Sequence, residues 1–105
     1  MTTLAAPYNA GPSLFCLPYI PVAGSQQITG MTTSTALTVP ATATAALIQC
    51  EGNNVRYWDD GTVPTATVGM LLAVGGNPLL YAGNLATIRF IQVATGAILN
   101  VAYYK

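Results

Sequence analysis

Glu51, Asp59 and Asp60 lie close together in sequence and are the only acidic residues in the chain. Neighbouring carboxylates can hydrolyse glycosides when one sits in an apolar pocket that raises its pKa. Asp59 and Asp60, however, stand directly before Gly61, and Asp-Gly between β-prone runs marks a tight turn whose carboxylates stay in water. With Asn53, the same three acids supply oxygen donors of the kind calcium accepts. The dense Asp-x-Asp-x-Asp-Gly spacing of a calcium loop is absent. Ser13, Ser25, Ser34, Cys16 and Cys50 are candidate nucleophiles, but the chain has no histidine to serve as their base. Cys16 and Cys50 also lack metal-ligand spacing. They read as small apolar residues, with a disulfide as the alternative. Tyr57-Trp58 beside the two aspartates could stack on a sugar, although strand alternation sends the two rings to opposite faces. The expectation is a protein that is not an enzyme and needs no metal or organic cofactor.

Arg56 and Arg89 each interrupt an apolar run. A buried guanidinium needs a carboxylate or carbonyl partner, and with so few acids available the expectation is structural ion pairs with Asp59, Asp60, Glu51 or a partner subunit. Together with Lys105 these are the only basic residues. They are scattered, whereas a nucleic-acid site needs a basic stripe. Of 105 residues, 6% are charged and 52% hydrophobic, and the formal net charge is zero. An ordinary domain is about one quarter charged. Spread over the surface expected for this mass, that leaves roughly one charge per 900 Å². Neutral, charge-poor surfaces favour association, so a homo-oligomer is expected.

The elements that carry these residues divide near position 34. Residues 1–33 are rich in Pro, Gly and Thr and hold an apolar island, Leu14-Phe15-Cys16-Leu17-Pro18-Tyr19-Ile20-Pro21. Its prolines exclude a helix and favour extended geometry. The segment reads as an arm in which Phe15, Leu17, Tyr19 and Ile20 contact another chain, or else as an edge strand of its own domain. The opening residues lack a basic stretch, and Pro7, Pro12 and Pro18 break any signal-like apolar run. No run approaches the twenty apolar residues of a transmembrane helix. No membrane or nucleic-acid partner is expected.

Residues 34–105 read as short strands between turns: 37–39, 44–51, 55–58, 65–72, 79–81, 87–93 and 97–104. Asp59-Asp60-Gly61 is expected at the tip of a hairpin whose return strand starts after Pro64. The expected core is Leu47, Ile48, Val55, Val68, Leu72, Ile88, Phe90, Ile91, Leu99 and Val101. Such spacing predicts an all-β fold, an antiparallel β-sandwich or jelly-roll-like barrel with an extended N-terminal arm.

The stretch Val55-Arg56-Tyr57-Trp58-Asp59-Asp60-Gly61-Thr62-Val63-Pro64-Thr65-Ala66-Thr67-Val68-Gly69-Met70 resembles small proteins from the virion genes of tailed bacteriophages and prophages. So do Tyr81-Ala82-Gly83-Asn84-Leu85-Ala86-Thr87-Ile88-Arg89-Phe90-Ile91 and the ending Leu99-Asn100-Val101-Ala102-Tyr103-Tyr104. The resemblance runs from about Ala46 onward and implies no catalytic or ligand residues. It implies a virion structural protein made in the host cytoplasm. A capsid decoration (cement) protein, commonly trimeric, that binds and stabilises neighbouring major capsid subunits is the leading expectation. A tail, fibre or head–tail junction component is the alternative in that class, and a carbohydrate-binding β-sandwich module the alternative outside it.

Overall fold

The computed structural model describes residues 19–105. Eight strands follow in order: β1 (Pro21–Thr29), β2 (Thr35–Ala36), β3 (Ala45–Glu51), β4 (Val55–Trp58), β5 (Met70–Leu72), β6 (Leu79–Tyr81), β7 (Arg89–Gln92) and β8 (Ile98–Tyr104). They form two antiparallel four-stranded sheets, ordered β1-β8-β3-β6 and β2-β7-β4-β5. No helix occurs among the described residues. The expected β-sandwich is the observed fold.

Alternation builds the core between the sheets. In β8, Leu99, Val101 and Tyr103 are buried while Ile98, Asn100, Ala102 and Tyr104 are partly open. Their register partners Cys50, Ile48 and Ala46 on β3 face the same way and are buried too. The second sheet contributes Val55, Leu72 and Phe90. Leu47 and Ile91, expected in the core, alternate onto the outer faces and are half-buried, and Val68 is a loop residue 56% exposed. Met31, Leu37, Leu85 and Tyr103 take the space instead.

The pairings β1–β8, β2–β7, β3–β6 and β4–β5 make the chain one long hairpin folded over upon itself. Short connections, 30–34, 52–54, 73–78 and 93–97, carry β1 to β2, β3 to β4, β5 to β6 and β7 to β8 across the sandwich. Edge strands β1 and β2 therefore share one side of the molecule, and β5 and β6 share the other.

Beyond trims of one or two residues at the ends of β3, β7 and β8, three boundaries differ from those read in the sequence. Residues 21–29, assigned to the arm, form edge strand β1 against β8, with a register shift between Val22 and Gln26. Ile20 exchanges backbone hydrogen bonds with Lys105 at 2.9 Å each, and the Tyr19 ring meets Tyr104 edge-on at 6.2 Å. Pairing in β2 covers only Thr35–Ala36, ahead of the expected 37–39, and β5 is far shorter than 65–72. Phe15, Leu17 and Cys16 lie outside the described residues.

Candidate functional site

The expected hairpin exists, but its connection is the whole of loop 59–69, since Tyr57 pairs with Met70. Local chemistry explains the loop. The Asp60 carboxylate accepts the Thr62 amide at 2.9 Å, and Gly61 follows the turn at φ 88°. Thr65 and Val68 exchange backbone bonds, and the Thr65 hydroxyl accepts the Val68 amide at 3.0 Å. Arg56 then ties the loop to β4, donating Nε to the Ala66 carbonyl at 3.2 Å and Nη1 to the Gly69 carbonyl at 2.9 Å. Pro64 is fully buried beneath it. Arg89 donates to the carbonyls of Ala86 and Ile88 at 2.8 and 3.1 Å. Within the described chain both guanidiniums donate to carbonyls: a loop carbonyl within reach satisfies a guanidinium without desolvating a carboxylate.

This folding leaves apolar side chains outside. Apart from Ile20, every large hydrophobic exposed among the described residues lies between positions 63 and 80. Val63 and Val68 project from the loop, Met70 and Leu71 from β5, Val74 from the turn and Leu80 from β6. No charged residue occurs from Gly61 to Ile88. Strand β5 ends its sheet, bonded to β4 on one side. Met70 shares the inward face with Tyr57 yet is 53% exposed, so the rim of the sandwich is open there. Sequence reasoning missed Met70, Leu71, Val74 and Leu80 as surface residues. The long uncharged run was the signal that could have found them.

Hydrogen bonds from Thr62 hold the exposed Asp60 carboxyl below its usual pKa. Burial, and then the nearby Asp59 charge, push the Tyr57 and Tyr81 hydroxyls up. Burial, with the Glu51 charge, raises the Cys50 thiol, which donates to the Asn53 carbonyl at 2.8 Å. A neutral, hydrogen-bonded thiol is a poor nucleophile. The calcium donors are not gathered. Glu51 accepts the Asn100 amide at 2.6 Å on the outer face of the first sheet. Asn53 lies in the turn before β4, whereas Asp59 and Asp60 follow that strand. No trio of His, Cys, Asp or Glu clusters among the described residues.

Tyr57 faces Phe90, with ring centroids 5.9 Å apart, and Trp58 alternates to the opposite face. They form no shared sugar platform. A cleft of about 430 Å³ lies between Val39, Ala43 and Thr44 on one wall and residues 82–86 on the other. No ionisable side chain lines it. The arrangement is suited to contact with another surface.

Compared with known families, curated proteins and solved structures, the chain matches none.

Proposed function

We propose that the protein is a non-catalytic structural component of a tailed-phage virion, a capsid decoration (cement) protein that binds neighbouring major capsid subunits and itself assembles as a trimer. The open apolar edge formed by β5, β6 and residues 61–69, a run without charge, carries this reading. A soluble monomer ordinarily guards a sheet edge with charge, proline or a covering segment. Strands β5 and β6 show exposed aliphatic side chains and carry no charge of their own, the nearest being Arg56 on β4 and Asp59 and Asp60 at the start of the loop. We further read the long folded-over hairpin as a jelly roll, a double-sheet architecture used by viral capsid domains. That support is an analogy at the level of fold, which does not by itself specify function. The likeness of the 55–70 segment to phage virion gene products points the same way.

The experiment is quantitative mass spectrometry of purified particles. A decoration protein is expected in copy number comparable to the major capsid protein. A number far below it would move the protein to the tail or head–tail junction. Absence from particles would sink the virion reading. Jelly rolls also serve lectins, so binding on a glycan array without particle association would favour the carbohydrate-binding alternative.

A further inference from the structure

The edge of β5 and the apolar island near the chain start are complementary in chemistry. Pro12 and Pro18 bracket residues 13–17, a run of Ser13, Leu14, Phe15, Cys16 and Leu17 with no proline. Every residue in it retains its backbone donor, so it can pair as a strand, while the flanking prolines end the pairing. We propose that residues 13–17 of one copy add as a strand to the open edge of β5 in a neighbouring copy. This deepens the assembly reading above and rests on it.

Geometry directs the segment to a neighbour. Tyr19 and Ile20 lie on the β1 side, where Ile20 is bonded to Lys105. The accepting edge lies on the β5/β6 side, three strand spacings or about 14 Å away. Leu17 is two residues from Tyr19 and reaches at most about 7 Å from it. The run therefore cannot lie along β5 of its own molecule. A second copy has no such limit.

Side-chain alternation completes the fit. In an added strand Phe15 and Leu17 share one face, and Leu14 and Cys16 the other. With Phe15 directed inward, the open rim beside Met70 is closed by apolar surface. Leu14 and Cys16 then lie outward beside Leu71, which is 51% exposed. Main-chain bonds supply affinity in such strand addition, and alternate side chains supply selectivity. Because the donating and accepting surfaces differ, the contact is head-to-tail and builds a ring or a filament. A ring of three copies would be the proposed trimer.

Cys16 provides a native probe. Isotopically labelled and unlabelled full-length Leu71→Cys protein are mixed, oxidised with diamide and digested. The expected product is a disulfide between Cys16 and the thiol introduced at position 71, joining labelled to unlabelled peptides. Thr95→Cys, at an exposed turn in the connection before β8, should give no such link. Leu71→Lys should shift self-association, followed by sedimentation, to higher protein concentration. An oligomer that forms no Cys16 link to position 71, forms it only within one chain, links equally through Thr95→Cys, or ignores Leu71→Lys would overturn the proposal alone. A wild-type protein that stays monomeric at all concentrations would overturn both this proposal and the trimer reading.

Discussion

Two glycines separate backbone strain from steric overlap. Gly52 and Gly61 adopt φ of 80° and 88°, a region that side-chain-bearing residues avoid. A Cβ on Gly61 would meet open space, whereas one on Gly52 would overlap the Gly96 carbonyl oxygen. Gly61→Ala should therefore cost only the strain, about 1 kcal/mol. Gly52→Ala should cost several-fold more, because the 52–54 connection must move away from the one before β8. Urea midpoints of the two variants check the ranking, and equal losses would refute it. Tyr103 offers a second test. Its buried hydroxyl donates to Gln26 Oε1, and burial pushes its pKa up to about 12 from the ordinary 10. Below about pH 10 the phenol is protonated in folded and unfolded chains alike, so its contribution is fully present there. As pH rises from about 10 to 12 the unfolded chain ionises first, and stability falls. Tyr57 and Tyr81 are raised as well and act in the same direction. Tyr103→Phe should make the alkaline fall of the urea midpoint shallower; an unchanged slope would remove Tyr103 from that role.

Arg56 acts at the level of an element, because its two carbonyl contacts hold loop 59–69 against β4. Arg56→Met keeps the apolar stem but leaves the Ala66 and Gly69 carbonyls without that donor, at a cost of about 1–3 kcal/mol. Amide exchange should quicken at residues 62–69 while the β3–β8 ladder remains protected. Uniform acceleration would instead mean that the loop is integral to global stability. The same contacts explain part of what was illegible in the sequence. Residues 65–69 look like strand, but Arg56 donates to the Ala66 and Gly69 carbonyls, the Thr65 hydroxyl accepts the Val68 amide, Thr65 and Val68 bond each other, and β5 begins only at Met70. Strands β4 and β6 were read with their observed bounds, and β3 and β8 within one residue, because their apolar patterns are plain. Strand β1 was hidden by Pro21, Gly24, Ser25 and two glutamines, a run with no apolar alternation. Its extended state is imposed by pairing with β8. The scarcity of charge was visible at once, while its concentration on one edge depends on strand order, which no local pattern encodes.

For the whole molecule, an uncharged apolar edge implies an unusual salt response. Attraction between charged faces weakens as ionic strength screens it. Self-association through the β5 side should change little as sodium chloride rises to physiological strength, and it should strengthen with ammonium sulfate, which favours apolar burial. Sedimentation across a salt series checks this, and marked weakening in dilute sodium chloride would point to an electrostatic contact elsewhere. The folded-over hairpin has a further consequence, for the order of folding. Val55 and Leu72 pair near the tip, whereas Pro21 must find Tyr104 across almost the whole described chain. Closing the shorter loop sacrifices less chain entropy, so the ribbon should zip from β4 and β5 outward, on the slow timescale of non-local β-proteins. Core truncation at Leu72 should then slow folding, whereas truncation at Ile28 should mainly speed unfolding. Strand β1 would be the last to lock, so by this order the β5 edge exists before the chain start is tied to β8, as the proposed strand addition between copies requires.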